Sequence, residues 1–156
     1  MSESSKESLI RHWANSAPHA WLKENPVWVD IFADLLSRLP AKALQKLLGS
    51  ARPLIVLPPV YFGRVVRLTA ALPAGANILQ LDDRLLERPK EEAVGILAHE
   101  LAHLCVPTAP HADELKNDLE ADQVAVGWGF RTELVQALSR DLSLDHPRIL
   151  AAQIAA

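Results

Sequence analysis

GILAHELAHLCV, residues 95–106, is almost wholly apolar, yet it carries two histidines four residues apart and a glutamate beside the first. Apolar side chains surround the polar ones on every side: Ala93, Val94, Ile96, Leu97, Ala98, Leu101, Ala102, Leu104, Cys105 and Val106. Such a helix is expected to be buried. Within it, His99 and His103 share one face and can converge on one point. Glu100 is rotated about 100° from His99, close enough to reach a water held at that point. The spacing is H-E-x-x-H, which suits two imidazole ligands for zinc and a carboxylate acting as general base. A buried carboxylate without a partner is costly, whereas a metal with its bound water satisfies all three polar groups at once.

Zinc in such a site needs a third protein ligand. His111, Asp118, Glu120 and Asp122 follow in sequence. A histidine six residues beyond the second is excluded, because position 109 is alanine. Helical phasing over residues 112–128 puts Leu115, Leu119, Ala121, Ala125 and Val126 on one arc, with Asp118 and Asp122 inside it. Lys116, Glu120, Gln123 and Gly127 fall on the opposite arc. Height along the helix agrees. The histidines lie ~7 Å before the end of their helix and Asp118 ~9 Å into the next, so an antiparallel pair brings them level. Ala121 and Ala125 are small enough to permit the approach. Asp118 is therefore the preferred third ligand, with Glu120 and His111 as alternatives. Asp122, one turn beyond Asp118, is placed to accept the second ring N–H of a zinc-bound histidine. Gly95 sits one turn before His99 and suits a close approach, either of substrate or of a neighbouring helix.

Outward from this region the chain alternates in character. Residues 1–25 are polar, broken by Pro18, and hold Trp13 and Trp21; they read as a loosely ordered segment preceding one domain over residues 26–156. Trp13, Trp21 and Trp28 suit the cap of a core better than a partner surface. From Pro26, a stripe of Val27, Trp28, Ile31, Phe32, Leu35, Leu36 and Leu39 marks a helix, and residues 41–48 form a second that stops at Gly49. Residues 53–57, 64–70 and 77–81 read as three short strands. Helices follow over about 89–106 and 112–128, from Thr132, and from Pro147. The class is α+β: N-terminal helices, a small three-stranded sheet, then helices.

Composition narrows the function. The chain of 156 residues carries a net charge of -3 and 49% hydrophobic residues, so it is neither disordered nor marked for nucleic acid. One cysteine, Cys105, allows no internal disulfide and suits a reducing cytoplasm. The start lacks the apolar run of a secretory signal, and no stretch approaches the ~20 apolar residues of a membrane span.

HELAH followed by DLEADQVAVGWGF resembles the gluzincin metallopeptidases, in particular the compact minigluzincins and the ImmA/IrrE-like proteins. The resemblance covers roughly residues 77–130, about a third of the chain. It implies a zincin-like fold in which the HExxH helix packs antiparallel to a ligand-bearing helix. It maps the family's glutamate ligand onto Asp118 and its supporting aspartate onto Asp122; here aspartate stands where glutamate is usual. It also implies that the strand at residues 77–81 is a sheet edge that pairs with extended substrate. HELAHLCV followed by APH is similar to SprT-like proteases, which use a third histidine, and that keeps His111 in view. The function expected is zinc-dependent peptide hydrolysis, with His99, His103 and Asp118 on Zn2+, Glu100 as base and a peptide or protein as substrate. A non-catalytic zinc-binding regulatory domain is the alternative. Tyr61, His111, His146 and Arg148 are candidate oxyanion donors, and the sequence selects none of them.

Overall fold

A computed structural model describes residues 3–49, 52–59, 75–106 and 113–154. The chain divides into two compact units, Met1–Glu87 and Arg88–Ala156.

In the N-terminal unit, α1 (Glu3–Ala14) leads through a 3-10 helix (Ala17–Glu24) into α2 (Pro26–Arg38) and α3 (Ala41–Leu48). Strands β1 (Leu54–Leu57) and β2 (Asn77–Gln80) and a 3-10 helix (Asp83–Glu87) follow. The α2 stripe is the core: Trp28, Ile31, Phe32, Leu35, Leu36 and Leu39 are buried, whereas Val27, in the first turn, is 58% exposed. Residues 1–25 were expected to be loosely ordered; within them Glu3–Ala14 is helical and Ala17–Glu24 a 3-10 helix, with Trp13, His19 and Leu22 buried.

Their polar atoms meet β1. The Trp13 indole donates to the Leu54 carbonyl at 2.8 Å and the Trp21 indole to the Val56 carbonyl at 3.1 Å. The Val56 N–H donates to His19 Nε2 at 3.1 Å. One edge of β1 is thus satisfied by two indoles and an imidazole rather than by another strand, which protects it from stray pairing. The other edge pairs with β2 in parallel, Leu54 opposite Asn77 and Leu57 opposite Gln80. Among the described residues the sheet has two strands where three were expected; the third, at 64–70, lies outside them.

The C-terminal unit is helical: α4 (Lys90–His103), α5 (Glu114–Gly127), α6 (Arg131–Asp141) and α7 (Pro147–Ile154). Glu91 and Glu92 sit in the first turn of α4, where carboxylates complement the helix dipole. Asp113 caps α5 by accepting the Lys116 N–H at 3.3 Å. Gly129 turns the chain from α5 into α6 with a φ of 94°, a conformation costly for any residue bearing a Cβ.

Helix α4 is the centre of this unit. Ala93, Val94, Leu97, Ala98, Leu101 and Ala102 are buried on it. Against it α6 runs in the opposite direction. Arg88, just before α4, donates to Asp141 at 2.8 and 3.0 Å. The Glu92 carboxylate takes a bidentate pair from Arg140 at 2.7 and 2.8 Å. At Gly95 the helices touch: a Cβ there would lie 2.5 Å from the Glu133 backbone carbon. Of the two uses foreseen for this glycine, the helix–helix approach is the one observed.

Candidate metal centre

The chemistry-bearing residues of α4 lie on one stripe, Ile96, His99, Glu100 and His103, and line a cleft of about 300 Å³. The histidine rings meet edge to face with centroids 4.6 Å apart, and their Nε2 atoms are 3.1 Å apart. From α5, an Asp118 carboxylate oxygen stands 3.9 Å from His99 Nε2 and 3.7 Å from His103 Nε2. One ligand atom from each of the three residues falls within 4.8 Å of the others, so together they could hold a metal ion.

Two tests bear on the fit. The first is distance. Tetrahedral zinc with bonds of about 2.0–2.1 Å sets its ligand atoms roughly 3.3 Å apart. The two nitrogens are already near that spacing, and the carboxylate needs only a small inward movement. The second is protonation. His99 Nδ1 lies 2.7 Å from Asp122 Oδ1. A carboxylate there takes the ring N–H, which leaves Nε2 as a lone pair, 3.1 Å from His103 Nε2, 3.5 Å from Arg148 Nη2 and 3.9 Å from Asp118 Oδ1. Asp122 is 1% exposed. Burial pushes its carboxyl upward, but hydrogen bonds from His99 and Arg148 outweigh this and hold it below the usual carboxylate range. Burial, helped by the neighbouring His99, pushes the His103 imidazole below its ordinary value, toward the neutral form a metal requires.

Asp118 thus stands within 3.9 Å of both histidines, while Asp122, one turn further along α5, meets His99. Ala121, Asp122 and Ala125 form the buried face of α5. Leu115, expected on that face, is 39% exposed in the first turn. Glu120 is half-buried and outside the three-residue group. His111 and Tyr61 lie outside the described residues. His99 is 7% exposed, but Glu100 and His103 are exposed. The expectation that all three polar groups are buried is therefore corrected: His99 is buried, whereas Glu100 and His103 reach the surface.

One residue was underrated from sequence. Arg148, at the start of α7, spans both aspartates. Its Nη1 donates to Asp118 Oδ2 at 2.9 Å, its Nε to Asp122 Oδ2 at 2.8 Å and its Nη2 to Asp122 Oδ1 at 3.0 Å. It thereby takes one Asp118 oxygen and leaves the other toward the histidines. Only the placement of α7 reveals this; the arginine follows a proline in an otherwise ordinary amphipathic helix. His146 is occupied locally, accepting the Arg148 backbone N–H at 3.2 Å and so capping α7.

Comparison with protein-family models, curated proteins and solved structures yields no match. No helix among the described residues is long and apolar enough to cross a membrane.

Proposed function

We propose that the C-terminal unit is the catalytic part of a zinc-dependent peptidase of gluzincin type, acting on a peptide or protein in the cytoplasm. The observation that carries the reading is the convergence of His99, His103 and Asp118 on one point in a cleft that Glu100 also lines. A bound zinc ion would supply Lewis acidity and lower the pKa of a coordinated water. His99, His103 and Asp118 would hold the ion, with Asp122 fixing the His99 tautomer. Glu100, exposed on the same helical stripe, takes the proton from the attacking water and delivers it to the leaving amine. A metal held only for stability has no need of that carboxylate. The shorter aspartate at position 118 is matched by Arg148, which steers it into place.

Arg148 also motivates a second reading, a metal-binding regulatory module without hydrolytic activity. A cation sharing Asp118 weakens the ligand's charge and with it the hold on the metal. One pair of measurements separates the readings. Elemental analysis should find about one zinc per chain in the wild type and in Glu100→Gln, and little in His103→Ala. Hydrolysis of a mixed peptide pool should fall by about 10²-fold or more in Glu100→Gln. Unchanged hydrolysis in that variant would remove the mechanism. Bound metal with no hydrolysis in the wild type favours the module.

A further inference from the structure

In the N-terminal unit, the edge of β1 that faces away from β2 is closed by side chains alone. The Leu54 carbonyl, the Val56 N–H and the Val56 carbonyl lie two residues apart, the spacing at which a further strand would bond them. Trp13, His19 and Trp21 take one each. Two of these clamps are indoles, which do not titrate. The third is an imidazole with no exposed surface, serving Val56 as an acceptor, a role open only to the neutral ring. Its Nδ1 is already engaged, 2.9 Å from both the Trp13 carbonyl and Ser16 Oγ. A proton on Nε2 sets N–H against N–H at Val56.

Charged groups on the elements packed around His19 do not compensate such a proton. On α1 and the 3-10 helix, Glu3, Glu7, Arg11, His12, Lys23 and Glu24 are exposed, and Lys6 reaches the Ser37 carbonyl. On α2, Asp30 is exposed and Asp34 pairs with Arg38 at 3.9 Å. Strand β1 has no ionisable residue. The cover is also lightly held. Of α1 only Trp13 is buried, and of the 3-10 helix only His19 and Leu22. A segment with so few buried anchors opens before the core behind it, and 3-10 bonding adds little.

We infer that residues 3–24 form an acid-operated cover on β1: protonation of His19 breaks its hold on Val56, and the segment lifts to bare a sheet edge able to pair with another extended chain. The lifted ring takes a proton at the ordinary imidazole pH, whereas burial makes the closed ring resist it. Opening is therefore favoured as the pH falls below about 6.5 and is independent of pH above it.

The test is amide exchange on the full chain near pH 7.5 and near pH 5.5, each rate divided by its intrinsic value at that pH. Val56 and the amides of the cover should share one protection factor, at least about tenfold below that of Leu35 and Leu36 on α2. At the lower pH it should fall about tenfold, the linkage of a single proton. His19→Gln offers Val56 an amide oxygen that does not titrate, and its two values should agree within about twofold. Should that variant not fold, Trp21→Phe removes a clamp without a titrating group: protection at Val56 should drop at both pH values and keep the tenfold ratio. Val56 protection equal to that of Leu35, or unchanged between the two pH values, would overturn the cover. So would a pH response that survives in His19→Gln or disappears in Trp21→Phe.

Discussion

Asp122 carries its charge almost entirely out of water, and three charge-assisted hydrogen bonds offset that burial: one from His99 and two from Arg148. Each partner answers a different question. Asp122→Asn keeps the shape but loses the charge that fixes the His99 tautomer. For the zinc site proposed above, affinity should then fall about 10–100-fold, measured by competition with a chromophoric chelator. Affinity equal to wild type would show that the His99 tautomer is set elsewhere. Arg148→Met removes the other partner and leaves carboxylate oxygens without their donor. The expected loss of stability is on the order of 2–3 kcal/mol, read from urea midpoints at constant slope. Arg148→Lys should recover little of it, because an ammonium cannot span two carboxylates as a planar guanidinium does.

Helix packing decides what these side chains can reach, and Gly95 shows how tightly. An added methyl group would lie 2.5–2.7 Å from Glu133 and Leu134 backbone atoms, which cannot swing aside as a side chain can. Gly95→Ala gains helix propensity of about 1 kcal/mol but must separate α4 from α6, at about 1–3 kcal/mol. The net should be a lower melting temperature and, if α6 shifts, a wider cleft; a raised melting temperature would mean that α6 adapts freely. At this scale the sequence was most legible where periodicity met chemistry. The four-residue histidine spacing and the phase of Asp118 and Asp122 could be read because both are properties of single helices. The exposure of Glu100 and His103 could not, since hydropathy tells how oily α4 is and not where its neighbours stop. Arg148 was illegible for a related reason: its partners stand 26 and 30 residues earlier on another helix.

At the scale of the whole molecule, stability against pH gathers buried groups from both units. Among the described residues the most enclosed titratable base is His19, with no exposed surface. Its Nδ1 lies 2.9 Å from the Trp13 carbonyl and takes the donor role, while Nε2 accepts the Val56 N–H at 3.1 Å. That pattern requires the neutral ring, because a protonated imidazole has no acceptor nitrogen to offer Val56. Burial pushes its pKa below the ordinary 6.5, against an upward pull from the Trp13 carbonyl. The unfolded chain therefore binds more protons than the folded one once the pH drops below about 6.5, and stability falls with it. Above that value both states are neutral at this position and its contribution to the slope vanishes. His103 contributes with the same sign, whereas Asp122, an acid held low, adds its loss only below about pH 4. Denaturant midpoints should hence decline between pH 6.5 and 5 in wild type. The decline should be shallower in His19→Gln, whatever that variant's absolute stability, and the ring resonances of His19 should titrate below 6.5 by NMR. A variant with the wild-type slope would move the acid sensitivity away from the capped edge of β1.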